Sequence, residues 1–142
     1  MPKSKHNKPV ISVIIPAFNE SNSIAECLQS LQSQDFNMSY EVIVVDGPSN
    51  DNTTQTAKKY GARVYKLNQR GISIAWIKGV EKSKSDIIAF TEADTIVPKN
   101  WLSKIYENLM SYPKSVGIVG RYKLKNKTIL NYFVLSFSLV FL

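Results

Sequence analysis

Residues 10–46 read VISVIIPAFNESNSIAECLQSLQSQDFNMSYEVIVVD, and this stretch decides the fold class. Its first six residues are a short, β-branched apolar run closed by Pro16, the pattern of a buried strand. A polar loop follows over residues 16–21. Ile24, Leu28 and Leu31 then recur at i, i+4 and i+7 and mark one face of a helix. Residues 41–45, EVIVV, form a second apolar run of strand length. Strand, helix and strand, with both strands apolar on either side, is the unit from which parallel sheets are built.

Beyond residue 46 the alternation continues. Residues 47–52 are turn-rich, and a short helix runs to Tyr60 and stops at Gly61. Residues 62–67 (ARVYKL) read as a third strand, 72–82 as a helix and 86–90 (DIIAF) as a fourth strand. Pro98 is expected to open a helix with Trp101, Leu102, Ile105, Leu109 and Met110 on one face, since a first-turn proline forfeits no hydrogen bond. Residues 116–119 would be a fifth strand. The expected class is α/β: a doubly wound, mostly parallel, Rossmann-like sheet with helices on both faces. It occupies residues 10–120, between a basic polar leader over 1–9 and a basic, then apolar, helical segment over 121–142.

Composition narrows the chemistry. The chain has 142 residues, 44% apolar and 20% charged, enough for one domain with a real core. One cysteine, Cys27, excludes an internal disulfide framework, and one histidine, His6, excludes sites needing paired His or Cys ligands. His6 lies in the polar leader, so a Ser-His-Asp hydrolase is excluded too. Cys27 sits beside Leu28 in the amphipathic stretch and reads as a buried helix residue.

Charge is uneven. Lysine and arginine number 18 against 11 acids, a formal net charge of +7. Between Lys99 and Lys127 lie seven basic residues and a single acid, Glu107. Such a surface suits nucleic acid, anionic lipid or phosphorylated ligands, or is merely solvated. The uncharged residues 128–142 (TILNYFVLSFSLVFL) would span about 22 Å as a helix, short of a ~30 Å hydrocarbon core. They suit an interfacial helix, the start of a longer span, or a core helix. No secretory signal is visible. The expected location is the cytoplasm, at the cytoplasmic face of a membrane, and nucleic acid is disfavoured as a partner for want of any recognition motif.

Parallel sheets of this kind bind ligands at the carboxyl ends of their strands. The four loops there carry Pro16, Ala17, Phe18, Asn19 and Glu20; Asp46 and Ser49; Arg70; and Glu92, Ala93 and Asp94. Neither a P-loop nor a G-x-G-x-x-G is present, which removes the main support for ATP or NAD. Carboxylates after strands two and four, with an arginine between them in sequence, suit a metal-bound, phosphate-bearing ligand: oxygen donors for Mg²⁺ or Mn²⁺, and a guanidinium for phosphate. In an extended segment Glu92 and Asp94 would point the same way. Ser49 and Arg70 are in reach of phosphate or ribose, and serve equally well as turn residues.

The series VISVIIPAFNES, EVIVVDGPSNDNT, RGISIAWIKG and DIIAFTEADTIVPKNWL, part of a match that runs in order from about Val10 to Gly120, resembles a family 2 glycosyltransferase of the GT-A fold, truncated at its C-terminus. The resemblance implies that Pro16, Ala17, Phe18 and Glu20 line the nucleotide site and that Asp46 faces the base. Glu92, Ala93 and Asp94 would occupy the family's Asp-x-Asp motif, with Asp94, assisted by Glu92, holding a divalent metal on the diphosphate. It implies a UDP-, GDP- or dTDP-sugar donor and a glycan or lipid-linked acceptor. Two readings stay open: a metal-assisted glycosyltransferase, or a non-catalytic sugar-nucleotide-binding module.

Four departures from the family pattern bear on that choice. Asp46-Gly47 stands where two consecutive acids are frequent, and Glu92 replaces the first motif aspartate. Ala75-Trp76-Ile77-Lys78-Gly79 replaces a polar helix start, with Lys78 read as a solvent-facing lysine. No general base is found, because the one acid after Asp94 is Glu107, in the middle of an amphipathic helix.

Overall fold

The computed structural model describes residues 8–115, 117–120 and 140–141. Five strands and four helices alternate through most of the chain: β1 (Ile11–Ala17), α1 (Ile24–Gln32), β2 (Tyr40–Asp46), α2 (Thr53–Lys59), β3 (Arg63–Lys66), α3 (Ile72–Lys82), β4 (Ile87–Phe90), α4 (Trp101–Ser111) and β5 (Val140–Phe141). The sheet order is β3-β2-β1-β4-β5; the first four strands are parallel and β5 is antiparallel to β4. The chain winds outward from β1 through β2 to β3, then returns to the other side of β1 with β4. That reversal opens a crevice beyond the carboxyl ends of β1 and β4, where such sheets take ligands.

β1 is buried on both faces, as its apolar run, broken only by the hydrogen-bonded Ser12, requires. Ile11, Val13, Ile15 and Ala17 join the main core with Ile24, Leu28 and Leu31 of α1, Ala57 of α2, and Leu102, Ile105 and Leu109 of α4. Ile14 faces the other way with Ile88 and Phe90. On that side α3 is the one helix among the described residues that covers the sheet, setting Ala75 against Ile43 and Val45. Gly79 lets α3 approach closely: a Cβ there would lie 2.3 Å from Ile14 Cγ2. Ile72, Ile77 and Val80 on the outer side of α3 are exposed. Gly61, at φ 80°, ends α2 in the left-handed conformation that glycine adopts without penalty.

Three expectations need correction. Pro98 lies in the turn ahead of α4 rather than inside it, and its carbonyl accepts from Trp101 N at 3.0 Å and Gln34 Nε2 at 2.8 Å. Gln34 Oε1 in turn accepts from Leu102 N at 3.0 Å, so α4 is capped from across the core. Residues 117–119 are not a strand, and residue 116 lies outside the described residues. After the turn marked by Ser115 N to Tyr112 O, 2.9 Å, the chain joins no ladder there, and the edge of β4 is taken by Val140–Phe141. The expected helix over 121–142 does not include Val140–Phe141, residue types that favour extended pairing at an open edge; the rest of that segment lies outside the described residues. No helix among the described residues is long and apolar enough to cross a membrane. Of the leader, Lys8 pairs with Asp86 at 2.7 Å, both exposed, a contact of small energetic weight.

Candidate nucleotide-binding cleft

The loops after β1 and β2 are stitched into one unit. Five hydrogen bonds cross between them: Gly47 N to Ala17 O (2.8 Å), Asn19 N to Ser49 Oγ (2.9 Å), Asn50 N to Asn19 Oδ1 (3.1 Å), Glu20 N to Thr53 Oγ1 (2.8 Å) and Ser21 N to Asp51 Oδ2 (3.1 Å). Asn19 sits at φ 54°, a left-handed turn position that asparagine tolerates better than most residues. The local sequence explains the stitching: short Ser, Thr, Asn and Asp side chains bond readily to nearby backbone.

Asp46 is completely buried, and its carboxylate accepts from Ser49 Oγ at 2.5 Å and from Thr54 Oγ1. Both oxygens are thus engaged in tying the loop and α2 to the end of β2. Asp51 accepts from Thr53 Oγ1, Thr53 N and Ser21 N at 2.5, 3.0 and 3.1 Å, and these bonds, chiefly that from the Thr53 hydroxyl, hold its carboxyl well below the ordinary value of 3.8. A carboxyl depressed in the folded state stabilises above its unfolded pKa, and that contribution is lost as pH falls through the folded one. Urea midpoints of the wild type and Asp51→Asn should therefore differ at neutral pH and converge towards about pH 2. Parallel pH curves would contradict the assignment.

A cleft of about 250 Å³ opens over these loops at the carboxyl edge of the sheet. Pro16, Ala17, Phe18, Glu20, Arg70, Glu92, Ala93 and Asp94 line it, so three of the four loops picked out by sequence converge there, although Asn19 of the first loop is not part of the lining. From the second loop Gly47 lines the cleft, whereas Asp46 and Ser49 lie behind it as the loop's support. Leu67, Gly71, Ile72 and Ala75 also line it. Ile72 and Ala75 lie outside the loops that follow the strands, because α3 begins at the same edge and contributes its first turn. Lys78 is not in the cleft; it pairs with Glu81 at 3.5 Å along α3.

Electrostatics divide the lining into two groups. Glu92 is pushed above the ordinary carboxylate range, first by partial burial, then by Asp94 and by Glu20. Glu92 and Asp94 do not share an extended segment as expected: Thr95 N bonds Glu92 O at 3.1 Å, closing a turn around Ala93 and Asp94. Ala93 is buried in the main core, and the two acids flank it. Behind them the Cys27 thiol donates to Glu92 O at 3.4 Å; burial, with Asp94 adding, pushes that thiol up to about 12. The opposing charge comes from Arg70, whose guanidinium carbon lies 4.4 Å from the centroid of the Phe18 ring.

The fold agrees with comparisons to known proteins. The sequence is 36% identical to the glycosyltransferase AglE of Haloferax volcanii over 103 residues, covering 68% of this chain and 34% of AglE. The structure resembles that of Staphylococcus aureus TarS residues 1–349 in complex with UDP, with a TM-score of 0.73, 26% identity and coverage of 93% of this chain and 46% of that one. It also resembles the mannosyltransferase PcManGT of Pyrobaculum calidifontis in complex with GDP-Man and Mn²⁺, with a TM-score of 0.70, 26% identity and coverage of 78% and 34%. The chain spans about a third of the length of AglE. The profile described as Glycosyl transferase family 2 matches residues 12–137, so with the cleft where that resemblance placed it, the chain belongs to glycosyl transferase family 2.

Proposed function

We propose that this chain binds a nucleotide-sugar donor in the cleft and serves metal-assisted glycosyl transfer to a glycan or lipid-linked acceptor. The observation that carries the reading is the convergence of Glu20, Glu92, Asp94 and Arg70 on one cleft at the carboxyl edge of a family 2 sheet. Among the described residues no group of three or more His, Cys, Asp or Glu is arranged to cage a metal. Mg²⁺ is ordinarily held by one or two carboxylates together with substrate phosphates, and Glu92 and Asp94 supply that donor set. Glu92 is raised first by partial burial and then by the charges of Asp94 and Glu20, and a cation would relieve the repulsive part. A bound divalent ion would supply neutralisation of the charge that develops on the departing nucleoside diphosphate.

The remaining roles fall to the chain's own groups. Arg70 offers N–H donors to phosphate oxygens, and Pro16, Ala17, Phe18 and Ala93 provide apolar wall for the nucleoside. Asp46 and Ser49 act through the loop they hold. UDP- and GDP-sugars are the favoured donors, because TarS and PcManGT are seen with UDP and with GDP-Man and Mn²⁺; a dTDP-sugar is the third candidate. The basic residues gathered between Lys99 and Lys127 support a setting at the cytoplasmic face of a membrane. A second reading, binding without transfer, is favoured by Glu107, the one acid described beyond Asp94, which is exposed on α4 and does not line the cleft.

Thermal unfolding with UDP, GDP, dTDP and their sugars, each with Mn²⁺, Mg²⁺ or chelator, tests the reading. At a hundredfold excess over Kd a binding donor adds about 2.7 kcal/mol of stability. The shift should require the metal. No shift with any pair would overturn the assignment. Donor hydrolysis or transfer to glycan and lipid-phosphate acceptors then separates the two readings.

A further inference from the structure

Gly47, Phe18 and Arg70 come from three different loops and touch in series along the cleft. We infer that Phe18 is a positioning residue that acts through Arg70, and that the bare Cα of Gly47 supplies the space in which its ring lies. The inference rests on the nucleotide-binding reading and adds to it the device that orders its cation.

Three observations carry it. Arg70 is the one cationic residue lining the cleft among the described residues, against three carboxylates, Glu20, Glu92 and Asp94. A diphosphate entering that field depends on Arg70 being in place. Arg70 is also exposed and makes no ion pair among the described residues, so the Phe18 ring is what restrains it. A free arginine side chain loses rotamer entropy when a ligand immobilises it, and a ring already stacked beneath it removes part of that loss beforehand. Finally, Phe18 lies close against Gly47: a Cβ on residue 47 would lie 3.2 Å from Phe18 Cδ2 and 3.6 Å from its Cβ, tight enough that the ring would have to give way by a few tenths of an ångström. Stacking engages the face of the guanidinium and leaves its N–H edge available for phosphate oxygens. The Asp46-Gly47 pair, which departs from the two consecutive acids frequent in the family, thereby acquires a physical reason. Any side chain at 47 presses on the ring that holds Arg70.

The test is a double-mutant cycle on the whole 142-residue chain, read as the calorimetric Kd for UDP with Mn²⁺. Phe18→Leu should weaken UDP about three- to tenfold, the range of a partly exposed cation–π contact, while Phe18→Tyr keeps the π face and stays near wild type. In an Arg70→Met background Phe18→Leu should have no further effect. Gly47→Ala should reproduce part of the Phe18→Leu loss, likewise only while Arg70 is present, and stands in for it if Phe18→Leu fails to fold. Losses that multiply across the cycle, or an unchanged or tighter Kd in both Phe18→Leu and Gly47→Ala, overturn the inference while leaving nucleotide binding intact. A wild type that binds neither UDP nor GDP with Mn²⁺ overturns the nucleotide-binding reading itself, and the inference with it.

Discussion

An Asp94→Asn protein should lose metal-dependent UDP or GDP binding by about a hundredfold or more while unfolding at the same temperature as the wild type, or slightly above it. The first half follows from ligand chemistry. Disturbing the groups that merely orient metal ligands weakens metal affinity about 10–100-fold, so removing the charge of a ligand itself should do at least as much. The second half follows from the field inside the cleft. Asp94 raises the pKa of Glu92 and adds to that of Cys27, which means its charge works against its neighbours. Neutralising it relieves repulsion and leaves no buried partner stranded, since the side chain is exposed. Binding by calorimetry with and without chelator, beside thermal melts, separates the halves. A destabilised Asp94→Asn, or one that binds as tightly as before, would make Asp94 an ordinary turn residue.

Gly79→Ala should destabilise the fold by about 2–3 kcal/mol, against the sign expected of a helix. Alanine in a helix interior normally gains about 1 kcal/mol over glycine. Here the added Cβ would stand 2.3 Å from Cγ2 and 3.1 Å from Cδ1 of Ile14, far inside contact distance. Ile14 is fully buried on the central strand, between β2 and β4, so neither side chain nor strand has somewhere to go. Overpacking of this kind costs typically 1–3 kcal/mol and occasionally more, and the upper range applies because α3 lies directly over Ile14 on that face. For a domain of this size the melting temperature should fall by roughly 5–10 °C. Urea denaturation measures it directly, and a Gly79→Ala chain as stable as the wild type would mean that α3 sits further from β1 than the contacts indicate.

Legibility in the sequence followed the reach of each interaction. Three of the four parallel strands announced themselves because burial on both faces demands apolar runs, and 11–15, broken only by Ser12, 42–45 and 87–90 have them; β3, half-exposed at the sheet edge, showed itself by alternation instead. Helix α3 was bounded at 72–82 because Gly71 and Ser83 flank an unbroken helical pattern. β5 was not legible: two residues paired to one edge carry no periodicity. The site divided in the same way. Residues just after strands were found from topology alone, and eight of those nominated line the cleft. Asp46 was placed on the nucleotide by resemblance, but Ser49 and Thr54 take up its oxygens, a local polar network that no spacing rule announces. Pro98 misled by one turn because the caps of α4 come from Gln34, far away in sequence.

The strand order also bears on how the chain comes to be folded during synthesis. β1 emerges first yet stands in the middle of the sheet, and its pairing with β4, Ile11 opposite Ile87, joins segments on the order of 75 residues apart. At ribosomal rates of about 5–20 residues per second, one apolar edge of the nascent β1 waits several seconds for its partner. During that interval the β1–α1–β2 unit is an unfinished surface, and the nascent chain is most exposed to chaperones and to mispairing before residue 90 is made.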